Sequence, residues 1–328
     1  TSNVGLGYLA LGLNTTANNN TAVGYKSLYA NTSGANNAAV GYNALVANTS
    51  GTTNVALGFA LQANTTGSDN SAVGWAALYN NTTGSASTAM GRYALFSNTT
   101  TGNNTAVGNQ ALYTNTQNFN VAMGHVAGYA NTTGYITAIG SSALQNNTTG
   151  TNNVAVGGYN NAVGTLRNNT TGSQNTGVGY GALVNNTTAT HNVAVGYETL
   201  YSVTTNGDNT AIGNYALRSN TGLRNVAMGY TALYASTSGS DNVALGTTSL
   251  RFNTTGSLNV AVGKEALRNN TTAGNNTAVG YLALYTNQTG SSNVAIGAEA
   301  AYNSTSIYVT AVGRTAAYNT TTGNMCAV

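Results

Sequence analysis

Glycine returns along this chain at an interval regular enough to settle most of what the chain can become. A small residue, an aliphatic residue and then glycine recur, with the glycine at 7, 24, 41, 58, 74, 91, 108, 124, 140, 157, 179, 196, 213, 229, 246, 263, 280, 297 and 313. Every step is 16 or 17 residues except one of 22, and the 18 intervals span 306 residues. A period of that length marks a solenoid, in which each unit buries its apolar side only against its neighbours. The chain reads as a single continuous array over 1–328 with both ends falling inside a repeat. A five-residue excess at 158–162 reads as a loop or bulge on one face.

A typical unit runs Asn20-Thr21-Ala22-Val23-Gly24-Tyr25-Lys26-Ser27-Leu28-Tyr29-Ala30-Asn31-Thr32-Ser33-Gly34. Around the anchor glycine it alternates with the period of two that belongs to a strand, and no apolar stripe at helical spacing survives the glycines. The expected fold is all-β, a parallel β-solenoid or β-roll of about 19 coils of 16–17 residues. The residue before the glycine is always large and aliphatic (Leu6, Val23, Leu57, Met90, Ile139, Ile212, Val312), so that column is expected to fill the interior. Thr or Val two residues earlier shares its face. The residue between them points the other way, yet it is Ala in 17 coils and Gly in 2. A column facing water would drift through polar types, so the alanines are expected to be covered, as a strand buried on both faces is. Ala22, Ala39, Ala56, Ala72, Ala89, Ala106, Ala261, Ala278 and Ala295 are therefore read as a self-association face. A narrow corner within one chain is the alternative.

Leucine follows in the second half of 16 of the 19 coils, making a second core column in a short second strand, and Asn-Thr-Thr-Gly or a relative closes each unit as a turn. Asparagine precedes the strand in 16 coils, where amides stacked every 4.7–4.9 Å can form hydrogen-bonded ladders. Nineteen coils at that rise would give a rod about 90 Å long.

Val294-Ala295-Ile296-Gly297 resembles the steps that build the head repeats of trimeric autotransporter adhesins. Asn276-Thr277-Ala278-Val279-Gly280-Tyr281 followed by Ala283-Leu284 is similar, more directly, to the repeat arrays of phage tail-fibre-like and bacterial surface proteins. The resemblance covers essentially the whole chain. It implies a left-handed roll, an extracellular, cell-surface or virion location, and a homotrimer.

Charged residues are only 5% of the chain and the net charge is +3, with basic residues scattered singly, so no nucleic-acid surface is expected. No apolar run reaches the roughly 18 residues of a membrane-spanning helix. Cys326, the 1 cysteine, excludes an internal disulfide framework and falls in the Thr/Val strand column.

Catalysis needs unlike reactive groups brought together. The acids Asp69, Glu198, Asp208, Asp241, Glu265 and Glu299 show no pairing suited to acid–base work, and Asp208 reads as a solvated turn acid. His125 and His191 lie four coils apart, too far to share a metal ion, and the glycines show no phosphate-cradling pattern. Lys264, Glu265 and Arg268 form a charged cluster that reads as a surface ion pair. No catalytic residue, cofactor or metal is expected.

Two features bear on recognition. The column after the anchor glycine carries aromatic rings, among them Tyr25, Tyr42, Trp75, Tyr180, Tyr197, Tyr230 and Tyr281. They form either a stacked solenoid edge or a contact edge for cell-surface glycan. Asn-x-Ser/Thr sequons recur in almost every coil and serve equally as turns or as glycan acceptors. The expected function is a non-enzymatic structural protein forming a rigid extracellular fibre or filament (tail fibre, surface filament or adhesin shaft). Its partner is then itself, as a homotrimer or an end-to-end filament. The alternative is a receptor- or glycan-binding adhesin module. Ice binding is disfavoured, because Thr21, Ala38, Val55, Ser71 and Thr88 make no regular threonine grid.

Overall fold

The computed structural model describes residues 2–158 and 163–320 and the backbone of Cys326 and Ala327. Two compact units divide it, Thr1–Thr171 and Gly172–Val328. In the first, ten strands of 3 residues run from β1 (Val4–Leu6) through β2 (Thr21–Val23) and β3 (Ala38–Val40) to β10 (Val154–Val156). Each pairs parallel with the next in unbroken register, Val4 with Thr21, Gly5 with Ala22, Leu6 with Val23 and so upward. The second unit repeats this from β11 (Thr176–Val178) to β19 (Thr310–Val312), with β20 (Cys326–Ala327) pairing on β19. Cys326 lies opposite Thr310, in the Thr/Val column as the sequence places it. The fold is all-β, a parallel β-solenoid. The excess at 158–162 falls largely outside the described residues; Gly158 bridges antiparallel to Gly164.

The strands face the opposite way from the expectation. Ala22, Ala39, Ala56, Ala72, Ala89, Ala106, Ala261, Ala278 and Ala295 are all buried inside their own chain, at 0–1% exposure, so they are not a self-association face. The aliphatic column points outward instead. The cause is the narrowness of the coil. At Gly5, where the alanine is missing, a methyl group would stand 3.7 Å from Leu11 Cδ1 and 4.0 Å from Ala10 Cβ. The strand wall and the Ala-Leu wall are thus one methyl contact apart, and a valine or leucine turned inward has no room.

The interior is completed by the leucine column, whose members Leu28, Leu45, Leu61 and Leu78 are fully buried as expected. The segment carrying them is not a second strand. Leu28 has φ 50° and Lys26 φ 48°, both left-handed, and the chain passes through successive turns. Its amides alternate between neighbours: Lys26 N–H donates down to Tyr8 O at 2.9 Å, Leu28 N–H up to Ala44 O at 2.9 Å. The left-handed region costs an L-residue about 1–2 kcal/mol, offset here by burial of the leucine.

In two of the coils that lack the leucine, the residue before the next strand compensates. Gly128 replaces it in one coil, and there Ile136 replaces the asparagine before the strand. A Cβ on Gly128 would lie 3.1 Å from Ile136 Cδ1. Ala301 and Val309 repeat the exchange, both fully buried. One fixed volume is shared between two slots.

Two asparagine ladders close the interior. The expected one precedes the strand: Asn20 Oδ1 accepts from Asn37 N at 2.9 Å, and Asn37 Oδ1 from Asn54 N at 2.9 Å. The second is built from the asparagines of the closing turn. Asn48 Nδ2 donates to Asn31 Oδ1 at 2.9 Å, and Asn64 Nδ2 to Asn48 Oδ1 at 2.9 Å. The ladders meet at one carbonyl, since Gly34 O accepts from Asn20 Nδ2 at 3.0 Å and Asn31 Nδ2 at 2.9 Å. In the second unit Asn270 Nδ2 donates likewise to Asn253 Oδ1 at 2.7 Å. Each of these buried amides thus finds partners in its own coil and the next, as buried polar groups usually do.

The anchor glycines are fixed twice over. Gly263 sits at φ +129°, closed to side chains, and a Cβ there would stand 2.6 Å from Gly280 O in the next coil.

Candidate functional site

What the solenoid offers a partner is its outer surface, and three parts of that surface are built from the repeat. The first is the outer sheet face. In the first unit Leu6 is 66% exposed, Val40 39%, Leu57 38%, Met90 46%, Met123 43% and Ile139 37%. In the second unit Ile212, Met228, Ile296 and Val312 stand out in the same way. Beside them runs the Thr/Val column, and neither column contains a charged residue anywhere in the chain. The size of the residues held the clue to their direction: only a methyl group suits both a closed coil and an invariant column.

The second part is the aromatic column after the anchor glycine. Tyr8, Tyr25, Tyr42, Phe59 and Trp75 stack in order with centroids 5.5, 5.2, 6.2 and 4.5 Å apart. Tyr180 stacks on Tyr197 at 5.0 Å. Tyr25, Tyr42, Trp75, Tyr197, Tyr230 and Tyr281 are exposed, and Tyr180 is half-buried. Stacking occupies the ring faces in the middle of a run and leaves edges to solvent. A sugar ring docks on an open aromatic face, so Tyr25 and Tyr42 serve the ladder. A second ring column, not anticipated, lies nearby: Tyr79, Phe96, Tyr113 and Tyr129 stack at 5.5, 5.1 and 5.1 Å. In the second unit this column interleaves arginine with aromatic residues. Arg218 lies over Tyr201 at 5.0 Å, and Arg268 over Tyr285 at 5.5 Å.

The third part is the turn. The sequon asparagines Asn31, Asn48, Asn64, Asn81, Asn147, Asn253 and Asn270 are fully buried in the second ladder. A glycan on any of them would require that coil to open. The threonines that follow form their own series, Thr32 Oγ1 donating to Thr49 O at 3.1 Å and Thr49 Oγ1 to Thr65 O at 3.1 Å.

Charged groups far apart in sequence meet because successive coils lie side by side. Arg218 Nε pairs with Glu198 Oε2 at 2.7 Å, and Arg224 grips Asp241 through Nε at 2.7 Å and Nη2 at 3.0 Å. The Arg224 guanidinium holds the Asp241 carboxyl below the usual carboxylate range. His191 Nδ1 approaches Asp208 at 3.5 Å, so Asp208 is not merely solvated. Lys264 meets Glu265 at 3.9 Å, whereas Arg268, expected in that cluster, donates instead to Tyr285 Oη at 2.8 Å. Among the described residues no group of three or more His, Cys, Asp or Glu gathers, and no helix is long and apolar enough to cross a membrane.

Compared with models of known protein families and with curated proteins, the sequence matches none.

Proposed function

We propose that this chain is a non-enzymatic structural element of an extracellular or virion fibre, and that copies assemble through the outer sheet face. The observation that carries the proposal is the charge-free aliphatic strip. Ten of its nineteen large side chains are exposed, from Val312 at 36% to Leu6 at 66%, and the other nine are half-buried. The strip runs without a charged residue through all ten coils of the first unit, from Leu6 to Val156. A soluble monomer rarely leaves more than a few hundred Å² of contiguous apolar surface uncovered, while one partner of a stable complex buries about 800 Å². The spacing also selects the occupant. The strip repeats once per coil, and a second solenoid of the same period matches it row for row. Glu198, Asp241, Glu265 and Asp208 lie beside basic groups in the same or an adjacent coil, the arrangement of charges that brace a stack rather than face a substrate.

The mechanism is rigid display. Backbone ladders, asparagine ladders and stacked rings all run from coil to coil, so each coil is held by its neighbours and any end coil offers strand edges for further stacking. Sedimentation of the chain and of Leu57→Glu and Met90→Lys tests the proposal. The parent is expected to sediment as a multimer, three chains if the resemblance holds in full, and the charge variants as folded monomers. A parent that is monomeric at tens of micromolar would overturn it.

A further inference from the structure

Tyrosine outnumbers phenylalanine 21 to 4 in this chain, and many of its rings lie against a tyrosine of the next coil. In the first unit Tyr8 stacks on Tyr25 at 5.5 Å and 13°, Tyr25 on Tyr42 at 5.2 Å and 8°, and Tyr113 on Tyr129 at 5.1 Å and 8°. In the second unit Tyr180 meets Tyr197 at 5.0 Å and 10°. Tyr285, Tyr302 and Tyr318 follow one another there at 5.1 and 5.0 Å, with planes 7° and 6° apart. Stacking alone asks only for a ring, as Phe59 shows between Tyr42 and Trp75. The hydroxyls of Tyr8, Tyr25 and Tyr42 make no hydrogen bond among the described residues, so the fold gives those phenol oxygens no task. All three rings are exposed, Tyr8 at 67%, Tyr25 at 40% and Tyr42 at 59%.

We infer that these runs are oxidative cross-linking sites, in which tyrosines of adjacent coils are joined carbon to carbon as dityrosine. A one-electron oxidant takes an electron and the hydroxyl proton from each of two phenols. The oxidised haem of a peroxidase is of this class, and it passes the two electrons on to hydrogen peroxide, which leaves as two waters. The unpaired electron of each radical is shared onto the ring carbons beside the hydroxyl, and the two radicals bond Cε to Cε. The hydrogen on each joined carbon then moves to the phenol oxygen and restores both aromatic rings. What the fold supplies is the partner. Free tyrosyl radicals meet by diffusion, whereas Tyr25 and Tyr42 stand one coil apart, which amounts to an effective concentration far above that of separate chains. A quarter-turn about Cβ–Cγ, open to rings this exposed, brings their Cε edges together. Phe59 has no phenol and ends the first run. Each bond ties one coil to the next, adding covalent links to the noncovalent ladders that run the same way. No residue of the outer sheet face takes part, so the inference does not rest on assembly through that face.

Photo-oxidation of the full chain by tris(bipyridine)ruthenium tests the inference, with persulfate as the terminal oxidant, reduced to sulfate, and irradiation continued until tyrosine is consumed. The reagent acts in buffer and in denaturant alike. Trypsin, applied afterwards, places Tyr25 and Tyr42 in peptides 1–26 and 27–92, and Tyr302 and Tyr318 in peptides 269–314 and 315–328. Each pair of peptides is expected to appear joined, lighter than their sum by two hydrogens and with the fluorescence of dityrosine. The folded chain should give at least about tenfold more of each product than the unfolded chain. Tyr42→Phe and Tyr302→Phe keep a ring in the stack and remove the phenol. The first should abolish the 1–26/27–92 product and the second the 269–314/315–328 product, each leaving the other unchanged, while Tyr29→Phe alters neither. In a mixture of isotope-labelled and unlabelled chains, every joined product should carry one label throughout, because the bond lies within one chain. The inference is overturned by tyrosine consumed without joined peptides, by products as abundant from the unfolded chain, by products that persist in Tyr42→Phe and Tyr302→Phe, or by products of mixed label.

Discussion

Gly128 and Ile136 share one interior volume, and separating them gives a sharp test of how the coil is packed. The left-handed backbone at Gly128, φ +58°, accepts leucine elsewhere in the column, as at Leu112 with φ 51°. Gly128→Leu therefore fails for lack of space rather than for backbone strain. A bare Cβ there already stands 3.0 Å from Leu112 Cδ2 and 3.1 Å from Ile136 Cδ1. Overpacking of this kind costs about 1–3 kcal/mol, and three further carbons place it at the upper end. Ile136→Asn alone removes a fully buried side chain and opens a cavity, at a cost of about 2–4 kcal/mol. Additivity would make the double variant about 5–7 kcal/mol less stable than the parent. The double variant instead restores the leucine–asparagine pair of the other coils, so about half of that loss should vanish, with a coupling of about 3 kcal/mol. Because repeat arrays need not unfold in one step, the readout is native-state hydrogen exchange at the amides of Val121–Met123 and Thr137–Ile139. Protection lost in each single variant should return in the double. Effects that add to within about 0.5 kcal/mol would refute the shared-volume packing.

Two further outcomes follow from the ladders. Asn48→Asp keeps the shape but turns a donor to Asn31 Oδ1 and Gly51 O, both at 2.9 Å, into an acceptor; denaturation should show a loss of about 3–5 kcal/mol near pH 7 that shrinks in acid as the carboxyl protonates. An unchanged midpoint would mean that the amide ladder is idle. Burial, with the neighbouring Tyr285 and Tyr318 rings, raises the Tyr302 hydroxyl above its usual 10.0. A raised folded value stabilises below pH 10.0 and is lost as pH climbs through it, so Tyr302→Phe should lose less thermal stability between pH 9 and pH 11 than the parent.

The period, the leucine column and the first asparagine ladder were legible in the sequence because each repeats a residue type at a fixed phase. The direction of the strand was not. Alternation at Thr21-Ala22-Val23 separates two faces without saying which is inside, and hydrophobicity favoured valine over alanine. Only the width of a 17-residue coil, one methyl contact between walls, reverses that choice. Asn31, Asn48 and Asn64 were read as turn formers for a similar reason, since their local sequence suits a turn and their stacking partners lie a full coil away. The same distance hid the pairs Arg224–Asp241 and Arg218–Glu198.

Intermolecular disulfide formation tests the account most directly. In a Cys326→Ser background, Leu57→Cys and Ala56→Cys place a thiol on adjacent residues of one strand but on opposite faces. Leu57→Cys is expected to give covalent dimers under mild oxidation, and Ala56→Cys, whose parent alanine is fully buried, to give none. Dimers from Ala56→Cys with Leu57→Cys remaining single would reverse the two faces and contradict the structure and the assembly built on it.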